Sequence, residues 1–296
     1  MNTLFARTLR NTARPLNKSF ATIGATLEKA VDTLPHREAV RAFANVDRDD
    51  DLRWSYAEFN SYVDELTNGF LDLQFKKGDT IALWLPNNAE NLVAQYAAAK
   101  AGLTIAAVDP AITSAEELEF VVKDSKAVAL LFDPKANTSD PTAVADQVFH
   151  GQGLKGSLHT VITTAIDPYP NFLQFRHILC NALEPHHIQR RTKEINDSTP
   201  LVVPYAANNG QAPKRGAVLT HGDVFKKAQE IASSVKLNSD DKIVMTNLPA
   251  GFVVGSVAAA LKNSTVVLAS PDLLDHATKL ESPSVAATEK ADFKRL

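Results

Sequence analysis

The chain has 296 residues, of which 45% are hydrophobic and 22% charged, and this composition excludes a disordered chain. Its net charge of −3 excludes a basic, nucleic-acid-binding protein. Its single cysteine excludes an intrachain disulfide and therefore a cysteine-stapled secreted scaffold. Because no window reaches eighteen uninterrupted apolar residues, we expect no membrane-spanning helix, and membrane contact only through partners.

Residues 1–29 form a basic amphipathic arm in the sequence. Three arginines and a lysine precede the first acidic residue, Glu28, and on a helical wheel the apolar side chains lie opposite the arginines. An arginine-rich, acid-free segment with hydroxyl side chains is typical of mitochondrial targeting. We therefore predict a mitochondrial protein, in the matrix or at the matrix face of the inner membrane. A basic surface arm on a cytosolic protein is the alternative, and whether the arm is cleaved stays open.

Residues 30–281 alternate apolar segments with amphipathic helical segments, and residues 282–296 form a polar C-terminal tail. This alternation predicts an α/β domain of mostly parallel sheets flanked by helices. Strands are predicted at 39–43, 80–85, 104–108, 127–132, 161–164, 201–204, 243–246 and 265–268. Helices are predicted at 56–73, 89–101, 114–124 and from 221 to about 235, three of them opened by the capping-box pairs Ser55/Glu58, Ser114/Glu117 and Thr220/Asp223.

Two motifs resemble binding sites, one for a dinucleotide and one for a metal ion, but their sequence surroundings do not fit either site. Residues 151–156, GQGLKG, match the glycine spacing of a dinucleotide-binding loop, yet a helical segment precedes them and a strand follows, the reverse of the required order. We expect a turn there. The cluster of His177, Cys180, His186 and His187 has no zinc-ligand spacing, so we expect no metal site and a buried thiol.

A series of short segments runs in order from residue 52 to residue 131. They are W-S-Y-A-E at a helix start, K-K-G-D before a strand, L-P-N-N-A-E, A-A-K-A-G, a strand ending in D-P, and the E-E-L helix. In order and spacing they resemble the opening of the adenylate-forming enzymes, the family of acyl-CoA synthetases and AMP-binding ligases. The resemblance covers most of residues 30–280 and implies the fold of the N-terminal domain of acyl-CoA synthetases.

Residues 202–221, VVPYAANNGQAPKRGAVLTH, stand where that family carries a Tyr-Thr-Ser-Gly-Thr-Thr-Gly loop around the phosphates of ATP. The loop's hydroxyls and amides donate hydrogen bonds, and its glycines allow close backbone approach. The positions that match are Tyr205, Pro213, Lys214, Thr220 and His221. Here the loop hydroxyls are absent, and each charge-assisted hydrogen bond lost costs about 1.5–3 kcal/mol. The resemblance thus implies a vestigial phosphate loop of Tyr205, Ala206, Ala207, Asn208, Asn209, Gly210 and Lys214.

Two further departures from the family concern catalysis. Phe252 stands where the family has a histidine beside the acyl site. The resemblance fades near residue 280, so the family's ribose-binding aspartate and its C-terminal domain with the catalytic lysine have no counterpart. We therefore expect a truncated relative that is not an enzyme, with no catalytic residue, no cofactor and no metal.

These expectations favour a non-catalytic acyl-CoA-synthetase-like protein that serves as a structural accessory subunit of a mitochondrial energy-converting complex. The peripheral region of ATP synthase or a respiratory complex is the expected assembly, by analogy. Its partners would be other protein subunits and not nucleic acid. An acyl-, CoA- or nucleotide-binding module and one half of a split adenylate-forming ligase are the alternatives.

Overall fold

The computed structural model describes residues 22–43, 51–135, 140–154, 156–179, 186–245, 249–269, 273–287 and 293–296. Its helices are α1 (Ile23–Thr33), α2 (Tyr56–Asp72), α3 (Ala89–Ala101), α4 (Ala115–Ser125), α5 (Pro141–His150), α6 (Phe175–Ile178), α7 (His186–Thr192), α8 (His221–Ser234), α9 (Pro249–Lys262) and α10 (Leu274–Glu281). Its strands are β1 (Glu38–Ala42), β2 (Leu52–Ser55), β3 (Thr80–Trp84), β4 (Thr104–Val108), β5 (Ala127–Phe132), β6 (Thr160–Thr163), β7 (Leu173–Gln174), β8 (Pro200–Asn208), β9 (Gln211–Arg215), β10 (Leu219–Thr220), β11 (Lys242–Met245), β12 (Thr265–Leu268), β13 (Val285–Ala287) and β14 (Phe293–Arg295).

The strands form two sheets. The six-stranded sheet has the order β14-β13-β11-β12-β1-β2, and the eight-stranded sheet has the order β10-β8-β4-β3-β5-β6-β7, with β9 paired to β8. All pairs among β3 to β7, and the β4–β8 pair, are parallel. The antiparallel pairs lie at sheet edges, as in β1–β2 and β13–β14. The predicted α/β fold of mostly parallel sheets flanked by helices is confirmed.

Alternating side chains of the central strand β3 enter two different cores. Ile81 and Leu83 pack with α1, α2, α3, α8 and α9 in the core between the two sheets. Ala82 and Trp84 pack under α4 and α5 on the opposite face. Successive strand residues point to opposite faces, so a strand that is covered on both sides is apolar along its buried length, as residues 81–84 of β3 are. None of the helices in the described part of the chain is long and apolar enough to cross a membrane.

Parts of both predicted flanking segments belong to the folded body. Helix α1 starts at Ile23, inside the predicted arm, and Ile23 and Leu27 are fully buried. The predicted tail contains β13 and β14, and the guanidinium of Arg295 donates to both carboxylate oxygens of Asp241 at 3.0 and 3.1 Å. Residues 1–21 lie outside the described residues, so the remainder of the arm, and the division at 29 and 281, stay predictions.

A buried ion pair joins α2 to α3. The Lys100 side chain has no solvent exposure, and its Nζ lies 2.6 Å from Asp64 Oδ1 and 2.8 Å from Asn60 Oδ1. Helix α1 packs over the lysine stem, where a Cβ on Gly24 would stand 2.9 Å from Lys100 Cγ. A second carboxylate, Glu28 Oε1 of α1, lies 3.6 Å from the same Nζ. Because the ammonium is shielded from water, these two carboxylates and the Asn60 oxygen must compensate its charge.

We predict that Asp64→Ala lowers the free energy of unfolding by about 2 kcal/mol, because the buried ammonium of Lys100 loses its hydrogen-bonded carboxylate and keeps only that of Glu28, 3.6 Å away. Chemical denaturation monitored by circular dichroism measures this. The control is Glu119→Ala, which removes the partner of Lys123 from a pair of the same 2.6 Å length in which both side chains are partly exposed. That variant should lose about 0–1 kcal/mol. Equal losses in the two variants would contradict the role given to burial.

Candidate functional site: a hairpin and the groove beside it

The stretch that resembles a phosphate loop forms a β-hairpin. Strand β8 runs parallel to β4 with Tyr205 opposite Val108, and continues beyond the end of β4. The chain turns at Asn209 and Gly210, whose φ angles are +49° and +78°. Two central residues with positive φ are what a two-residue hairpin turn requires, and Asn-Gly is the dipeptide that most favours it. Strand β9 then returns antiparallel, with Lys214 opposite Ala206.

Two carboxylates anchor the base of this hairpin. Asp109, directly after β4, donates its N–H to the Tyr205 carbonyl at 2.9 Å and accepts from the Ala207 N–H at 3.1 Å. Asp124 of α4 accepts from the Tyr205 hydroxyl at 2.6 Å and lies 3.5 Å from the guanidinium of Arg215. Burial and the Asp124 carboxylate raise the pKa of the Tyr205 hydroxyl, which therefore stays protonated. The base of the hairpin is held on the sheet and on α4, while its tip is exposed.

The residues of the predicted phosphate loop do not all lie in one place. Tyr205 is buried; Ala206, Asn209, Gly210 and Lys214 are exposed; Ala207 and Asn208 are half-buried. Ala207, Asn209 and Gly210 line a common groove. The groove lining does not include Tyr205, which contacts α4, or Lys214 on β9.

The groove lies between the hairpin tip and the N-terminal part of α4, and its volume is about 730 Å³. Its α4 side presents Thr113, Ser114, Glu116, Glu117 and Phe120. Binding pockets for small molecules usually measure roughly 300–1,000 Å³. The groove therefore offers hydroxyls, the N-terminal end of a helix, two carboxylates and an aromatic ring within a volume that suits a nucleotide.

Sequence reasoning missed this second side of the groove. The pair Ser114 and Glu117 was recognised only as a helix start, and the structure confirms that the Ser114 hydroxyl accepts from the Glu117 N–H at 3.2 Å. Nothing in the local sequence brings α4 next to a hairpin about 95 residues later in the chain. The Asn-Gly dipeptide was the available signal for the hairpin itself.

The remaining candidate positions lie elsewhere. Phe252 is buried in the first turn of α9, beside a small cavity that it shares with Asn91 and Gln95. Cys180 lies outside the described residues. In the ranges that the structure describes, no group of three or more His, Cys, Asp or Glu side chains is placed to hold a metal ion.

Thr220 and His221, which match the family's Thr-His positions, lie at the start of α8, and His221 bonds to the first residue of α1. Thr220 forms the predicted capping box with Asp223. His221 is fully buried, and its Nδ1 accepts from the Ile23 N–H at 3.2 Å, while its Nε2 meets no partner among the described residues. Burial lowers the pKa of the imidazole to about 4, so His221 is neutral at pH 7.

Comparison with known proteins matches most of this chain to one enzyme family. The sequence model described as "AMP-binding enzyme" matches residues 27–285. The medium-chain acyl-CoA ligase ACSF2, mitochondrial, of Macaca fascicularis is 27% identical over 270 residues, which cover 84% of this chain and 42% of the relative. Human ACSF2 is also 27% identical over 270 residues, covering 84% and 43%. This chain therefore spans less than half the length of these relatives.

Solved structures show the same fold. The apo structure of Mycobacterium smegmatis MbtA matches with a TM-score of 0.71 at 22% identity, over 90% of this chain and 48% of that one. The inhibitor-bound N-terminal domain of FACL13 from Mycobacterium tuberculosis matches with a TM-score of 0.69 at 19% identity, over 90% and 62%. At these identities the likeness concerns the fold alone.

The expectation that this chain is not an enzyme is wrong. The matched family is one of enzymes, the relatives are named ligases, and nothing in these matches marks a non-catalytic branch. The expectation was based on the hydroxyl side chains lost from the hairpin, on Phe252 in place of a histidine, and on the later family elements without a counterpart in this chain. Backbone N–H groups survive such substitutions, and the groove has further hydroxyls at Thr113 and Ser114 on its α4 side.

We predict that acid weakens the fold through His221. Its pKa is lower in the folded chain than the value of 6.5 in the unfolded chain, so its contribution is complete above pH 6.5 and is lost as the pH falls from 6.5 towards 4. Between pH 7 and pH 4 the wild type should lose about 3 kcal/mol more unfolding free energy than His221→Asn, which keeps an acceptor but does not titrate. Urea titrations across this pH range measure the difference.

The control for this experiment is His177→Asn, at an exposed histidine on α6. It should leave the pH dependence of the wild type unchanged. If His221→Asn followed the wild-type curve as well, the assignment of the acid sensitivity to His221 would be wrong.

Proposed function

We propose that this chain, which belongs to the AMP-binding enzyme family, supplies the N-terminal part of a ligase that activates an acyl group as its adenylate for transfer to CoA. The observation that carries the proposal is the hairpin with its exposed Lys214, which stands beside a nucleotide-sized groove within the matched span. Because the chain spans less than half of its relatives, further residues would complete the catalytic unit, as in a split ligase.

The groove suits the polyphosphate of ATP in three respects. Its volume of about 730 Å³ is adequate. The N-terminal end of α4 carries a partial positive charge, and backbone N–H groups there can donate to phosphate oxygens. The exposed ammonium of Lys214 adds positive charge to the hairpin. The carboxylates of Glu116 and Glu117 would repel a bare triphosphate, so we propose that ATP binds with its divalent cation.

The reaction proposed is adenylation of a carboxylic acid. A carboxylate oxygen of the acid bonds to the α-phosphorus of ATP while the bond to pyrophosphate breaks, giving acyl-AMP and pyrophosphate. This chain would hold the phosphates and orient them, which lowers the barrier by positioning and by charge stabilisation.

We place the protein in the mitochondrion. The basic, acid-free N-terminal segment has the composition of a targeting segment. The ACSF2 relatives are described as mitochondrial. The matrix, or the matrix face of the inner membrane, is our proposal within that compartment.

We predict that the full chain isolated from its native source catalyses ATP–pyrophosphate exchange, and that the exchange requires a carboxylic acid substrate. Lys214→Ala should lower the exchange rate several-fold, because its ammonium adds positive charge to the hairpin beside the groove, although its side chain does not line the groove. Lys227→Ala is the matched control, because Lys227 is an exposed lysine on α8, away from the hairpin, and this variant should exchange at the wild-type rate. No exchange in the wild type, or equal rates in the two variants, would refute the proposal.

Association with a larger assembly is a second proposal, favoured by exposed apolar side chains between β6 and β7. Ile166 and Tyr169 in the loop are 74% and 36% exposed, and Leu173, the first residue of β7, is 38% exposed. Apolar groups that cluster on a surface mark interaction sites. The partners proposed are protein subunits of a mitochondrial energy-converting complex, such as the peripheral region of ATP synthase or a respiratory complex.

We predict that the endogenous protein migrates with a large complex on blue-native gels, because burial of this loop region against a subunit would stabilise the association. Ile166→Lys should release it, since a charge would enter the interface. Gln189→Lys, at an exposed position on α7, adds the same single positive charge outside this loop region and should leave the association intact. Migration of the wild type at the mass of a single chain would contradict this association and leave the ligase proposal standing.

A further inference from the structure

A small cavity lies at the carboxyl ends of β3 and β4, between α3 and α9. Its volume is about 10 Å³, and on the order of 10–15 Å³ of space open to a water centre holds one water molecule. Its lining is uncharged. Aliphatic residues of the two strand ends and the Phe252 ring form the apolar part, and the amide side chains of Asn87, Asn91 and Gln95 form the polar part.

A ladder of amide hydrogen bonds leads into this cavity. Asn91 Nδ2 donates to the Pro86 carbonyl at 2.9 Å and to the Leu85 carbonyl at 3.3 Å. Asn91 Oδ1 then accepts from Gln95 Nε2 at 2.8 Å. The ladder thus begins at the loop after β3 and runs along one face of α3, since residues four apart on a helix are neighbours.

The direction of the ladder fixes what Gln95 offers to the cavity. Two carbonyls can only accept, so the nitrogen of Asn91 must face them and its oxygen must face Gln95. Gln95 must in turn present its nitrogen to Asn91, which leaves its oxygen at the end of the ladder. Gln95 is 3% exposed, and its Oε1 has no hydrogen-bond partner in the described part of the chain.

We propose that this cavity binds a single water molecule that donates a hydrogen bond to Gln95 Oε1. A buried acceptor without a donor is costly, and a cavity beside it that has polar walls and the size of one water provides the donor. The same water has the amides of Asn87 and Asn91 within the lining as further partners, and bound waters typically make two to four such bonds.

The lining also excludes other occupants. A metal ion would need charged or several oxygen ligands, and no charged side chain lines the cavity. An organic group exceeds the volume. Phe252 is 1% exposed and forms part of the wall from the α9 side. The water would therefore tie the loop after β3, through α3, to the contact between α3 and α9.

A crystal structure of the full chain at about 1.5 Å resolution tests the site directly. A peak at roughly 2.5–3.0 Å from Gln95 Oε1 is expected, the range of an O–H···O hydrogen bond. An empty cavity, or a Gln95 oxygen bonded to a protein donor, would overturn the proposal.

Thermal unfolding gives a second, independent test. Gln95→Met keeps the length of the side chain but removes both the donor to Asn91 and the acceptor of the water, and should lower Tm by roughly 2–5 °C. The matched control is Gln147→Met, at an exposed position on helix α5, which should leave Tm within about 1 °C of the wild type. A Tm for Gln95→Met equal to or above that of the wild type would contradict the proposal, because the loss of both hydrogen bonds should destabilise the fold.

Discussion

The parallel pairing of β8 with β4 is the constraint on which the site depends. It aligns Ile105 with Val202 and Val108 with Tyr205, residues about a hundred positions apart in the chain. Because β8 extends past the end of β4, its last residues leave the sheet as a hairpin next to Asp109, the first residue after β4. Without this register the hairpin tip would not face the beginning of α4, and the groove would have one wall only.

The same pairing explains why the hairpin is anchored at its base and open at its tip. Tyr205 still belongs to the sheet and is buried, and its hydroxyl is fixed by Asp124. Beyond the end of β4 this strand pairs with β9 alone, and the turn residues Asn209 and Gly210 are exposed. An anchored base with an exposed tip places backbone donors at a defined position while the side chains around them can change. Substitutions in the loop therefore say less about activity than they would in a loop whose side chains alone formed the site.

The fold could be predicted because its signals are local. Strands such as β3 and β4, which are apolar after their first threonine, are covered on both faces, and capping boxes at Ser55 and Thr220 mark helix starts to the residue. Strand β8 was predicted as a four-residue segment, since Ala206, Ala207 and the asparagines after them lack strand-like patterning. Their strand conformation comes from pairing with β9, and that pairing depends on the turn between them. The groove and the amide ladder depend on which helices become neighbours, and no local pattern contains that information.

The docking of α1 determines an order of assembly. Its backbone N–H at Ile23 is bound by His221, and its carbonyl at Ala30 accepts from the side chain of Asn263 at 2.8 Å. Both partners are about two hundred residues later in the chain. Helix α1 can pack on α2 and α3 as soon as they form, but these two hydrogen bonds must wait until α8 and the end of α9 have been synthesised. Contacts of such sequence separation form slowly, so we expect α1 to be fixed on α8 and α9 late in folding.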